Sequence, residues 1–167
     1  KYKKSFIKCE NCPSGWISEE KNQYCDICES GKISDLYALE CKYCEAGKYN
    51  ELIGLSIKTG KCKKCISGKF SSEIGATSVF FCKDCPSGKY NNEIGVTNEK
   101  FCISCIAGKY NNLEGQNSIN SCIYCETGKW SNKIASNSSL NCISCLSGLY
   151  SDENGATSKI QCKDCPA

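Results

Sequence analysis

The chain has 167 residues, 18 of them Cys, with 21 Lys against 18 acidic residues for a net charge of +3, and it contains no Arg, no His and no Met. So many thiols exclude an ordinary reduced cytosolic fold and point to an oxidising compartment, unless the thiols hold zinc. The lack of Arg and the small net charge exclude a phosphate-reading nucleic-acid surface, and the lack of His removes every Cys-His or Ser-His pair.

The start, Lys1-Tyr2-Lys3-Lys4, has no apolar stretch of the kind a secretory signal needs. No run approaches the roughly 18 to 20 apolar residues of a membrane span. The expectation is a piece of a longer exported precursor, with any membrane anchor outside this segment. Nine C-x-x-C pairs follow, beginning at Cys9, Cys25, Cys41, Cys62, Cys82, Cys102, Cys122, Cys142 and Cys162. Residues 1–44 read as two short, atypical modules with Ile17 and Ile33 where later units carry a ring. Residues 45–167 read as six regular modules of about 20 residues, the last one cut off, a segment of a longer tandem array.

Three residues after the second Cys of each of the first eight pairs stands a glycine: Gly15, Gly31, Gly47, Gly68, Gly88, Gly108, Gly128 and Gly148. Gly54, Gly75, Gly95, Gly115 and Gly155 recur ten residues after that Cys, with Ala135 as the exception. Glycine at fixed offsets marks a left-handed backbone or a close approach that a Cβ would forbid. Two residues beyond the first glycine come Tyr49, Phe70, Tyr90, Tyr110, Trp130 and Tyr150, read as rings that cover a disulfide and the base of the next module. In the unit from Cys85 to Cys102, a short extended piece, a polar turn around Asn91 to Gly95 and a second extended piece predict a small irregular hairpin. No helical period occurs. Units this small bury no core of their own, so cross-links and stacking on neighbours must hold them.

Four uses of the cysteines compete. Bonds inside each C-x-x-C suit a redox site, which normally occurs once on a different scaffold. Adjacent pairs could form Cys₄ zinc sites, but the glycine offset, the odd number of pairs and the equivalence of successive repeats weigh against that. A third scheme links cysteines two repeats apart. The preferred fourth joins the second Cys of each pair to the first of the next: Cys12 to Cys25, Cys28 to Cys41, Cys44 to Cys62, Cys65 to Cys82, Cys85 to Cys102, Cys105 to Cys122, Cys125 to Cys142, and Cys145 to Cys162. Cys9 and Cys165 are then left over.

The unit C-x-x-C-x-x-G-x-Y-x₄-G-A-T, seen at Cys62 to Thr77 with Phe in the ring position and at Cys142 to Thr157, resembles the ephrin-receptor-like cysteine-rich repeat. The segment Cys-Pro-Ser-Gly-Lys-Tyr is also similar to the first hairpin of tumour-necrosis-factor-receptor cysteine-rich domains, where a disulfide closes it. The resemblance implies an extracellular or cell-surface protein: a small disulfide-rich repeat fold, an elongated array of short irregular β-hairpins with little regular secondary structure and no helix. Such repeats are expanded in protist surface proteins, and abundant Lys, Asn and Ile without Arg fit an AT-rich genome of that kind.

No catalytic constellation stands out, since Glu51, Glu73, Glu93, Glu114 and Asp152 recur as turn residues. The expectation is no enzyme, no cofactor and no metal. The leading functional reading is a disulfide-laddered structural rod in a filament or surface coat, partnered by copies of itself or other extracellular structural proteins, with glycans as further partners. If modules alternate sides, Ile66, Ile106 and Leu146 line one lateral edge. The alternative is a ligand-binding ectodomain or receptor stalk, with binding near Trp16, the insertion Leu52 to Gly60 or Val79-Phe80-Phe81. Asn137-Ser138-Ser139 is a glycosylation sequon, so Asn137 is the candidate N-glycan site of a glycoprotein.

Overall fold

The computed structural model describes residues 12–18, 24–58 and 60–166. Among them there is no α-helix; the regular structure is eight two-strand antiparallel hairpins joined by a ladder of eight disulfides. The bonds run Cys12–Cys25, Cys28–Cys41, Cys44–Cys62, Cys65–Cys82, Cys85–Cys102, Cys105–Cys122, Cys125–Cys142 and Cys145–Cys162, with Cα separations of 5.5 to 5.8 Å. The chain divides into two compact units, one of Lys1–Ile66, Phe70–Cys82 and Gly95–Thr97, the other of Ser67–Lys69, Lys83–Ile94 and Asn98–Ala167.

In the first unit, Trp16–Ser18 pairs with Cys25–Ile27, Lys32–Ile33 with Lys42–Tyr43, and Lys48–Tyr49 with Lys63–Lys64. In the second, Lys89–Tyr90 pairs with Ile103–Ser104, Lys109–Tyr110 with Ile123–Tyr124, Lys129–Trp130 with Ile143–Ser144, and Leu149–Tyr150 with Lys163–Asp164. From the second hairpin on, the second strand is the two residues inside the next C-x-x-C. The motif therefore works as a strand whose flanking cysteines are aimed at two different loops. Its pairing is short because each cystine fixes the hairpin ends where a longer ladder would otherwise be needed.

The expected second extended piece is different in the structure. Before the closing Cys the chain makes a single 3₁₀ turn at Val79–Phe81, Glu99–Phe101, Ile119–Ser121, Ser139–Asn141 and Lys159–Gln161. The side chains of Asn98, Ser118, Ser138 and Ser158 accept from the backbone N–H groups of Lys100, Asn120, Leu140 and Ile160. Such caps satisfy donors that one turn of helix leaves open.

Successive repeats stack through parallel backbone bonds. Tyr49 bridges Ala76, Phe70 bridges Val96, Tyr110 bridges Ser136 and Trp130 bridges Ala156. The Gly108 N–H donates to the Ser131 carbonyl at 2.8 Å, and the Gly155 N–H donates to the Cys125 carbonyl at 2.7 Å. The interleaved boundaries of the two units follow from this: Gly68 donates to the carbonyl of Asn91, whereas Ser71 donates to that of Val96. In the first six repeats the first glycine also lies against the second-glycine position two repeats later. A Cβ on Gly47 would collide with the carbonyl of Gly95, and one on Gly108 with that of Gly155. Both glycines have φ near +77°, so the position excludes a side chain twice over.

The core is partly polar. Alongside the cystines, Asn50, Ser71, Asn91, Asn111, Ser131 and Ser151 are buried in a row of equivalent positions, each directly after the ring residue. Asn111 shows why the row is polar. Its Nδ2 donates to the Lys89 carbonyl at 3.1 Å, and its Oδ1 accepts from the Leu113 N–H at 3.0 Å, which ties the turn to the preceding repeat. A buried amide is stable only when so satisfied.

Candidate functional site

The regularity of the repeat makes its exceptions visible. The lysine that follows the first glycine finds a carboxylate in five repeats: Lys32 with Glu29 at 3.4 Å, Lys48 with Glu45 at 2.7 Å, Lys69 with Asp84 at 2.7 Å, Lys89 with Glu99 at 3.0 Å and Lys129 with Glu126 at 3.1 Å. The carboxylate comes from one of three repeat positions. At Lys109 those three positions hold Ile106, Ile119 and Tyr124. Lys109 forms no ion pair among the described residues, and its Nζ sits 3.9 Å from the centroid of the Tyr124 ring. An ammonium over a tyrosine face is held by the ring quadrupole instead of by a salt bridge.

Around Lys109 the surface is apolar. Tyr90, Ile103, Ile106, Ile119 and Cys122 share a shallow cleft of about 90 Å³ with it. Ile103 and Ile123 stand in register opposite Tyr90 and Tyr110, and Ile143 opposite Trp130. Three consecutive hairpins of the second unit thus each present an aliphatic–aromatic cross-strand pair, the kind that stabilises a sheet locally. Ile106 remains 65% exposed, and Ile66 and Leu146 are 63% and 60% exposed. Sequence reasoning placed Ile106 on a lateral edge with Ile66 and Leu146 but missed the Lys109 exception. The signal for it lay in aligning positions 106, 119 and 124 with the carboxylates of the other repeats.

The other candidate positions are placed as follows. All sixteen cysteines of the eight bonds are half-cystines, whose sulfurs are not thiolates and so do not ligate zinc. Among the described residues, no group of three or more Cys, Asp or Glu is placed to hold a metal ion. Cys165 is a free, exposed thiol, while Cys9 lies outside the described residues. Asn137 is exposed, between buried Ser136 and the cap residue Ser138. No helix among the described residues is long and apolar enough to cross a membrane. Two surface carboxyls are held below the usual carboxylate range: Glu45 by the hydrogen bond and charge of Lys48, and Asp152 by its own backbone N–H and then by Lys163, whose ammonium is raised in turn.

Residues 117–162 match the sequence model of a family described as tyrosine-protein kinase ephrin type A/B receptor-like. That span runs across the cystine pairs Cys125–Cys142 and Cys145–Cys162 and the strand pair between them. The ladder fits an ephrin-receptor-like cysteine-rich repeat. No curated protein matches the chain. Disulfide-rich ephrin-receptor-like repeats are typical of extracellular domains, and as a receptor-like family they are typically non-enzymatic.

Proposed function

We propose that this ephrin-receptor-like array is a structural element of an extracellular filament or cell-surface coat, a disulfide-laddered rod that associates with copies of itself. The observation that carries the reading is the backbone bond that recurs from Gly31–Asn50 to Gly128–Ser151, coupled to exposed aliphatic side chains. Within the second unit, Ile106 stands beside the Tyr90–Ile103 pair and Ile119, an apolar surface that water does not favour. Ile66 and Leu146 supply the same chemistry at equivalent positions. Changing Ile66, Ile106 and Leu146 together to Ser, then measuring oligomer size by sedimentation and particle form by electron microscopy, tests the reading. Wild-type assemblies that fall apart in the variant support it; a wild-type monomer, or unchanged assembly, refutes it.

The second reading, a ligand-binding ectodomain or receptor stalk, is favoured by one observation. The Cys44–Cys62 loop, which spans 18 residues instead of the regular 17, carries a concave surface in the first unit, where the repeat pattern is broken. In either role Asn137 carries an N-glycan, supported by its exposure and by the exposed Ser139 two residues on. A mass shift removed by an N-glycosidase checks it, and native protein of unmodified mass at Asn137 refutes it.

A further inference from the structure

The lysines are unevenly distributed. Residues 41–64 hold Lys42, Lys48, Lys58, Lys61, Lys63 and Lys64 against only Glu45 and Glu51. Both carboxylates are engaged, Glu45 by Lys48 at 2.7 Å and Glu51 by Lys63 at 3.8 Å. Lys42, Lys61 and Lys64 have no carboxylate partner among the described residues, and all three line one cleft of about 310 Å³ in the first unit. Its apolar wall is Ile33, Tyr43 and Ile57. Tyr43 is 59% exposed, and Lys32 lies 5.0 Å from its ring centroid. The Glu45–Lys48 pair completes the charged lining of the cleft, and Asp35 and Glu40 lie in a neighbouring hollow that shares Lys42 and Ile57.

Three unneutralised ammonium groups around one concavity repel one another and focus positive potential into it. An anionic ligand would relieve that repulsion. Lysine binds as a mobile point charge, which suits sulfate and carboxylate groups spaced along a chain better than it suits one planar oxyanion. The part of the Tyr43 ring that Lys32 leaves uncovered adds an apolar platform for a sugar ring. We infer that this cleft binds an acidic polysaccharide, with Lys42, Lys61 and Lys64 pairing with its sulfate or carboxylate groups and Tyr43 packing on a sugar face. Nucleic acid is the less suitable polyanion, since the cleft offers no Arg fork and a single ring for base stacking. The inference holds for a coat component and for a receptor alike, because it needs only an extracellular setting.

The test uses heparin as the probe and measures its dissociation constant from the whole chain across a range of salt concentrations. The triple variant Lys42→Gln, Lys61→Gln, Lys64→Gln is expected to bind at least tenfold more weakly. Its dependence of log K on log salt should be shallower by about 2 to 3, as expected for three lost polyanion contacts. A control triple, Lys100→Gln, Lys133→Gln, Lys159→Gln, removes the same charge and should leave binding within about twofold. Tyr43→Ala should weaken binding with the salt slope unchanged. The single Lys61→Gln, at an exposed position, gives a smaller loss should the triple fold poorly. Equal losses in both triples, no measurable wild-type binding, or tighter binding of single-stranded DNA or of phosphatidylserine vesicles through the same lysines would each overturn the assignment. None of these outcomes depends on the oligomer measurements above.

Discussion

Gly108 and Gly128 occupy the same position in successive repeats and have nearly the same backbone, with φ of +77° and +74°. They differ in what a side chain would meet. A Cβ on Gly108 would run into the Gly155 carbonyl, with its carbon at 2.7 Å, whereas one on Gly128 would meet nothing within 4 Å. Gly128→Ala therefore carries only the left-handed cost of about 1 to 2 kcal/mol. Reduced freedom of the unfolded chain offsets about 0.4 to 1 kcal/mol of it. Gly108→Ala must in addition push two backbones apart. That displacement threatens the bonds from Gly108 to Ser131, Cys125 to Gly108 and Gly155 to Cys125, at 2.8, 2.8 and 2.7 Å. At about 1 kcal/mol net for each bond, the total reaches about 3 to 5 kcal/mol. Guanidinium unfolding with disulfides intact measures both variants, and hydrogen exchange at the Cys125 and Gly155 amides localises the damage. Equal destabilisation of the two, or unaltered exchange at those amides in Gly108→Ala, would refute the account of repeat stacking.

Asn111→Ala should cost about 1 to 3 kcal/mol, because it removes the buried amide that bonds the Lys89 carbonyl and the Leu113 N–H; chemical denaturation reads this out, and a neutral effect would contradict the polar-core assignment. Replacing Cys105 and Cys122 together by Ser should lower stability by about 3 kcal/mol through a freed loop of 17 residues' separation, with protection lost first at Lys109–Tyr124. The Glu45 carboxyl is depressed by Lys48 in the folded chain, so its contribution is complete above the ordinary carboxylate range and disappears as pH falls through the depressed value. An NMR titration of Lys48→Gln should show the Glu45 midpoint moving up, and an unmoved midpoint would show that the ion pair is not formed. Leu140, 91% exposed at a 3₁₀ turn, should accept Ser within about 0.5 kcal/mol by thermal unfolding.

What the sequence revealed depended on how strictly each position repeats. The C-x-x-C period and the glycine offsets made a disulfide-rich array of helix-free hairpins legible, because only backbone geometry explains a glycine that returns at the same offset in eight repeats. The buried row was less legible. Asn50, Ser71, Asn91, Asn111, Ser131 and Ser151 are always Asn or Ser, yet small polar residues in a turn ordinarily read as solvated, and only the stacking of the next repeat puts them inside. The 3₁₀ turns escaped for a related reason: Glu99-Lys100-Phe101 and Ser139-Leu140-Asn141 share no composition, and only the capping Asn98 and Ser138 ahead of them do. Lys42, Lys61 and Lys64 lie up to 22 positions apart, so their convergence on one cleft is a product of the Cys44–Cys62 loop and not of local pattern. Ala135 shows the limit from the other side. It adopts φ of +53° where its equivalents are glycine; the register that sets Tyr124 against Gly155 sets Ser104, a much smaller residue, against Ala135.

The staggered cystines give the chain a second covalent route. Between Cys85 and Cys102 the peptide path is 17 residues, about 58 Å when drawn out, but the sulfur route holds the two Cα atoms 5.8 Å apart. The link from Cys102 to Cys105 adds about 10 Å at full stretch. Under tension a 20-residue repeat can therefore lengthen to about 16 Å, where an uncrossed chain would reach about 68 Å. A protease that nicks any of the eight loops leaves the two pieces tethered through sulfur; to part the chain within the ladder it must cut a two-residue link such as Ile103–Ser104, which is already held as a strand against Lys89–Tyr90.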